Sequence, residues 1–132
     1  MNKRLLIFCS LAYLLSSAVA VQAGEQVRTF SGDRNAETAE FEVEAPWLID
    51  WIVNSDYPGS MGLAVSLINA RSGAHEGYVL KTKKRGNGVR LMNEGGVFLF
   101  KVDATFANWT LKVEQLSREE AELYTPADKG GF

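Results

Sequence analysis

Apolar and polar residues alternate at every second position through most of the chain after residue 24. In the stretch TAEFEVEA, Ala39, Phe41 and Val43 point to one side and the glutamates between them to the other. The same pattern recurs in VRTF, WLIDWIVN, GLAVSLINA, GYVLKTKK, GVRLMN, GVFLFKVDA and NWTLKVEQL. Turn-forming segments rich in glycine, asparagine, aspartate and serine separate these stretches. About eight short strands without intervening helices predict an all-β fold, an antiparallel two-sheet β-sandwich of jelly-roll-like or immunoglobulin-like type.

Helical signals occur only near the C-terminus. Ser117 followed by Glu120 has the spacing of a capping box, Leu116 is placed to act as a hydrophobic staple, and Pro126 would end the helix. We therefore assign residues 117–132 to a short C-terminal helix and a flexible tail. The tail ends in Phe132 and is either a frayed terminus or a docking tag.

The first 23 residues have the pattern of a cleavable signal peptide. Lys3 and Arg4 precede a long apolar run, and Val21 and Ala23 supply the small residues that signal peptidase reads. Cys9 lacks the small residues that a lipoprotein acceptor needs just before it. We therefore expect cleavage after Ala23, no stable membrane anchor, and export to the periplasm or the medium of a bacterium. Residues 24–116 would form the sandwich domain.

Cleavage would change the composition in two ways. The 14 basic residues fall to 12 against 16 acidic ones, so the net charge moves from −2 to −4, and the mature chain contains no cysteine. A mildly acidic domain is not a general nucleic-acid binder, and disulfides and cysteine-ligated metals are excluded.

The tryptophans are candidates either for the core or for a sugar-stacking platform. On a strand, Trp47, Ile49, Trp51 and Val53 share one face, and Trp109 begins the equivalent face of the last strand. Because a buried tryptophan contributes on the order of 4 to 6 kcal/mol of gross stabilisation, core packing is the favoured interpretation.

Leu48 and Ile52 place apolar side chains on the second face of the same strand. Either the strand is central and another element covers this face, for which the C-terminal helix is the obvious candidate, or the face is an interface in a homodimer.

Two patches of sequence, EFEVEAPWLIDWIV and EGGVFLFKVDATFANWTLKVEQ, resemble small secreted bacterial β-sandwich domains of uncharacterised function. In those domains a Pro-Trp-x-Ile-x-Trp-like strand occurs together with a closing strand that contains Trp-Thr. The resemblance implies a sandwich fold and an extracytoplasmic setting, and it implies no catalytic residues.

Enzyme chemistry finds little support, so we predict a non-enzymatic protein without a cofactor. His75 lies in a turn-like segment, and no serine has the context of a nucleophile. Asp50, Asp56 and Asp103 could still meet in space and support a small carboxylate-dependent hydrolase or lyase acting on a glycan. The loop from Asp33 to Glu37 has alternating oxygen ligands and could hold calcium weakly, although it lacks the glycine and closing glutamate of an EF-hand.

The segment KTKKRGNGVR is the most distinctive polar feature. It contains five bases and no acid: Lys81, Lys83, Lys84, Arg85 and Arg90. We interpret it as a basic hairpin that Gly86, Asn87 and Gly88 reverse, and that binds a protein or an anionic envelope component. Two alternatives are that the bases face Glu40, Glu42 and Glu44 across strands, or that they protect a sheet edge from aggregation.

The leading functional hypothesis is therefore a non-catalytic exported binding or adaptor module. Besides the glycan hydrolase or lyase, a structural assembly subunit is the other alternative.

Overall fold

The computed structural model describes residues 25–124, and the predicted signal peptide and the tail from residue 125 onward lie outside that range. Within it, nine strands precede one short helix. They are β1 (Glu25–Gly32), β2 (Ala36–Glu37), β3 (Phe41–Val43), β4 (Trp47–Asn54), β5 (Gly62–Asn69), β6 (His75–Thr82), β7 (Gly86–Met92), β8 (Gly96–Thr105) and β9 (Asn108–Gln115), followed by α1 (Arg118–Glu122). Over the same residues, no helix has both the length and the apolar character needed to cross a membrane.

The strands form two antiparallel sheets packed face to face, which confirms the predicted all-β two-sheet architecture. One sheet has the order β1-β9-β4-β7. The other has the order β2-β8-β5-β6, with β3 also pairing with β8. Nine strands are present where we predicted about eight, because Ala36–Glu37, just before the stretch TAEFEVEA, forms an additional short strand, and within that stretch only Phe41–Val43 pairs with β8.

Residues 38–40, which begin the predicted strand, lie between β2 and β3 and belong to neither. The Thr38 hydroxyl accepts the backbone N–H of Phe100 at 3.0 Å and thereby takes the place of a backbone carbonyl in the ladder. Ala39 is exposed, so the predicted inward-facing row is correct only for Phe41 and Val43.

The inner faces of the central strands fill the core, as the alternation predicts. Trp47, Ile49 and Val53 of β4 are buried, and so is Trp109 of β9. The other core residues of β8 and β9 are Phe98, Phe100, Val102, Leu111 and Val113. The indole N–H of Trp47 donates to the carbonyl of Glu94 at 2.8 Å, and its ring stacks on Phe98. Core packing is thus confirmed for Trp47 and Trp109, whereas Trp51 is only half-buried.

The helix covers part of the outer face of β4. Leu48, only 1% exposed, packs with Leu91, Leu116 and Ala121 in a second, smaller cluster. The predicted capping box is present, since Glu120 N–H donates to the Ser117 hydroxyl at 3.1 Å and Ser117 N–H donates to the Glu120 carboxylate at 2.7 Å. The helix therefore roofs Leu48 as expected. It leaves Ile52 uncovered, at 46% exposure.

Candidate functional site

The five bases of the predicted hairpin do not lie on a hairpin, and this interpretation is wrong. Strand β6 is at the edge of one sheet and β7 at the edge of the other, and the two do not pair. Lys83, Lys84 and Arg85 form the connection that crosses between the sheets, whereas Gly86 and Gly88 belong to β7. The chain turns at Thr82, whose hydroxyl accepts the N–H of Lys84 at 3.0 Å.

This connection lies at one end of the sandwich, which we call the tip. The register places the ends of β1, β4, β6 and β8 there, with the starts of the strands that follow them. The tip therefore consists of four connections: residues 33–35, 55–61, 83–85 and 106–107.

A groove beside the tip brings two of the predicted bases together. It has a volume of about 480 Å³ and is lined by Asn35, Gly62, Leu63, Ala64, Lys81, Thr82, Lys83, Asp103, Ala104 and Thr105. Ala64 on β5 lies between Lys81 on β6 and Asp103 on β8 in the sheet register. Because Gly62 and Ala64 are small, β5 forms the floor of the groove, and the larger side chains on β6 and β8 form its two walls.

The outer face of β6 continues the wall of the groove. The Lys81 ammonium lies 4.6 Å from the centroid of the Tyr78 ring, a cation–π contact. The ring of His75 also contacts Tyr78, edge-on, with the ring centroids 5.1 Å apart. His75 is exposed on β6, where we expected a loop residue. Tyr78 is 48% exposed, so an aromatic face is available beside the bases.

Arg90 has a different role from the other four bases. Its partner in the sheet register is the buried Ile49, which places Arg90 on the core-facing side of the edge strand β7. Its guanidinium donates to the carbonyl of Val79 on β6 at 3.1 Å. Arg90 thus bridges the two sheet edges, and we remove it from the candidate site.

The proposed internal pairing with the glutamate row is also wrong. Glu42 lies on β3, at the opposite edge of its sheet from β6, and Glu40 and Glu44 flank that strand. Among residues 25–124 the single ion pair within 4 Å joins Arg34 to Asp33. Lys81, Lys83, Lys84 and Arg85 therefore have no carboxylate partner in the part of the chain that the structure describes.

The three aspartates considered as alternative catalytic residues do not come together. Asp50 is on the outer face of the four-stranded sheet and Asp103 on the outer face of the other sheet, so the core separates them. Asp56 lies at the tip, where it lines a small cavity with Asp33. Within residues 25–124 no three histidine, cysteine, aspartate or glutamate side chains are grouped to hold a metal ion. In the loop considered for calcium, the Asn35 side-chain oxygen accepts the Ala104 N–H at 2.7 Å.

The sequence reasoning missed the floor and the far wall of the groove. Gly62, Ala64 and Ser66 are small residues at every second position of one strand, and this spacing could have indicated a shallow channel. Asp103 and Thr105 gave no such signal, because their position opposite the bases depends on the pairing of β5 with both β6 and β8.

Comparison with known proteins adds no family to these observations. The sequence matches no protein-family model, and no curated protein is significantly similar to it.

Proposed function

We propose that this protein is an exported, non-catalytic binding module that recognises an anionic envelope component, a glycan or lipid headgroup carrying carboxylate or phosphate groups. The bases that bind it are those of the connection at residues 83–85 in the tip, together with Lys81 next to the tip. The observation that carries the proposal is the set of four exposed bases, Lys81, Lys83, Lys84 and Arg85, without a carboxylate partner among the described residues. In a chain with a net negative charge, such a cluster is a local exception. It attracts anions, which the acidic remainder of the surface repels.

The shape of the groove supports the same proposal. Its volume of about 480 Å³ lies within the range of sites that hold small ligands. Lys81 and Lys83 line one wall, whereas the opposite wall carries a single carboxylate, Asp103, and Asn35 and Thr105 add uncharged polar groups. A lysine ammonium provides three donors for carboxylate or phosphate oxygens. Export and the resemblance to small secreted bacterial sandwich domains remain predictions from the sequence, and a mature N-terminus at Gly24 would be the direct test of export.

The test reverses the charge of the connection between the sheets. The variant Lys83→Glu, Lys84→Glu, Arg85→Glu is compared with a control triple, Arg71→Glu, Lys112→Glu, Arg118→Glu, which changes the net charge equally at sites away from the tip. The probes are oligogalacturonate, as a carboxylate glycan, and vesicles containing phosphatidylglycerol, as phosphate headgroups.

We expect wild type and the control triple to bind one of the probes, with an affinity that falls steeply as salt rises, because exposed charges are screened over about 10 Å at 0.1 M salt. The reversal at the connection should abolish that binding. Equal binding by the two triple variants, or no binding of either probe by wild type, would refute the proposal. The remaining alternative for the bases, protection of the β6 edge, predicts aggregation of the reversed variant instead of a loss of anion binding.

A further inference from the structure

Two aromatic side chains at the tip are exposed, although the fold has an aromatic core available. Tyr57 is 61% exposed and Phe106 is 57% exposed. Their ring centroids are 5.0 Å apart with an interplanar angle of 51°. Large exposed aromatic groups in contact with one another are unusual on a soluble surface, and they commonly mark a binding site.

The backbone at Phe106 adopts a conformation that its side chain disfavours. Its φ angle is +49°, in the left-handed region, and among the described residues it is the one non-glycine residue with a positive φ. A glycine or asparagine would adopt this conformation at lower cost. An aromatic residue held there points to a role for the ring itself, since strained conformations concentrate at functional sites.

One buried serine links the backbones of Tyr57 and Phe106. The hydroxyl of Ser55, a residue that is 5% exposed, donates to the carbonyl of Phe106 and accepts the N–H of Tyr57, the latter at 2.9 Å. The neighbouring loop is fixed by Trp109, whose indole N–H donates to the carbonyl of Arg34 at 3.2 Å. The aromatic pair is therefore held on a preorganised support, which lowers the entropic cost of binding.

Polar groups surround the pair. A cavity of about 180 Å³ is lined by Asp33, Asp56, Tyr57, Phe106, Ala107 and Asn108. The two carboxylates accept hydrogen bonds, and the Asn108 amide both donates and accepts them. Asp33 pairs with Arg34 at 3.2 Å, whereas Asp56 has no basic partner within 4 Å among the described residues, so the lining of this cavity is acidic and differs chemically from the basic groove.

We infer that the Tyr57 and Phe106 pair is a stacking platform for one uncharged sugar ring of a glycan. The weakly polar C–H face of a pyranose packs on an aromatic face, whose partial negative charge attracts those hydrogens. The hydroxyl groups at the rim of the same ring need acceptors and donors, which Asp33, Asp56 and Asn108 supply. The inference assigns to Tyr57 and Phe106 the stacking role that the sequence offered for the tryptophans, two of which are buried in the core.

The experiment follows backbone amide resonances of the protein by NMR during titration with methyl glycosides and disaccharides of glucose, galactose, mannose and N-acetylglucosamine. We expect at least one of these sugars to bind, with shifts confined to residues 33–35, 54–57 and 105–109. The variant Tyr57→Ala, Phe106→Gly removes both rings, and its glycine suits the positive φ, so the fold should be retained. It should lose about tenfold or more in affinity, comparable with the loss of a stacked aromatic group elsewhere.

Two controls separate this site from the basic groove. Tyr78→Ala removes an exposed aromatic ring outside the tip and should leave sugar binding unchanged. The reversal of Lys83, Lys84 and Arg85 should also leave it unchanged, while the variant lacking both tip rings should keep its salt-dependent binding of the anionic probe. Shifts at another surface, no binding by any of the sugars, or binding of tetramethylammonium at the tip in place of sugars would overturn the inference, the last by indicating a cation cage.

Discussion

Two glycines of β7 allow a sharp test of the observed topology. Gly86 and Gly88 pair with Val53 and Trp51 of β4, so both positions face the core side of the sheet. A Cβ atom at Gly88 would lie 2.7 Å from Cζ2 and 3.0 Å from Cε2 of the Trp51 indole. A Cβ atom at Gly86 would meet nothing within 4 Å. Gly86→Ala is therefore a matched control for Gly88→Ala on the same strand and the same face.

The two substitutions should change the free energy of unfolding in opposite directions. Ordinary carbon contacts are about 3.5 to 4.0 Å, so the indole or the strand must move by roughly 1 Å in Gly88→Ala. Overpacking of this kind costs about 1 to 3 kcal/mol. Gly86→Ala removes conformational freedom from the unfolded chain without a clash, and should stabilise the fold by about 0.4 to 1 kcal/mol. The two variants should thus differ in free energy of unfolding by roughly 1.5 to 4 kcal/mol.

Urea and thermal unfolding, followed by far-ultraviolet circular dichroism, measure this difference. Each kcal/mol corresponds to about 4 to 8 °C in Tm for a domain of this size. In Trp51→Ala the indole is absent, so adding Gly88→Ala should then cost little, which a double-mutant cycle detects. If Gly86→Ala and Gly88→Ala were equally destabilising, both glycines would serve as turn residues, and the observed strand β7 would be refuted.

Two further predictions concern the core and the helix cap. Trp47→Ala should lower the free energy of unfolding by about 3 to 5 kcal/mol. Trp47→Phe keeps an aromatic ring but loses the hydrogen bond to Glu94 and part of the buried volume, so it should cost less, about 1 to 3 kcal/mol. Equal losses in urea unfolding would contradict the packing described. Ser117→Ala should destabilise the protein by about 1 kcal/mol through loss of the capping box, and Ser117→Asp should preserve most of that stability because aspartate is also a good N-cap; a loss as large in Ser117→Asp would show that the cap is not the cause.

The central strands could be predicted from the sequence because their side-chain period is local. Trp109, Leu111 and Val113 of β9 alternate with more polar residues, and a strand with this pattern buries the apolar face whatever its neighbours are. The capping box of Ser117 and Glu120 is equally local, since the two residues satisfy each other's backbone groups. Both features were therefore predicted correctly.

The basic hairpin was predicted wrongly because a non-local contact decides the matter. Gly-Asn-Gly between two apolar stretches is typical of a tight hairpin turn, and consecutive strands usually pair. In the structure the Trp51 indole lies over Gly88, and a side chain at this position would clash with it. Neither Gly86 nor Gly88 has a positive φ, so a turn does not require these glycines. The sequence alone does not show that β4 lies beside β7, so the packing reason for the glycine was not visible.

The exposed aromatic pair was missed for a related reason. In the sequence, Tyr57 and Phe106 are isolated aromatic residues in turn segments that are 49 positions apart. Their contact depends on Ser55, which joins the connection after β4 to the turn between β8 and β9. Such a contact follows from the pairing of β4 with β9, which no local pattern encodes.

Ionic strength separates the two proposed surfaces, although both belong to the same end of the molecule. The connection at residues 33–35 contributes to each of them, since Asn35 lines the groove and Asp33 lines the aromatic cavity. Binding to Lys81 and Lys83 depends on charges that salt screens, so it should weaken as salt rises. Stacking on Tyr57 and Phe106 involves uncharged contacts and should change little.

The test is an NMR titration of wild type, at low and at high salt, with an oligosaccharide that contains both uronic acid and neutral sugars. At high salt the shifts at residues 81–85 should disappear, whereas those at residues 105–109 should remain. Loss of both sets of shifts together would mean that the rings bind only as part of an electrostatic contact.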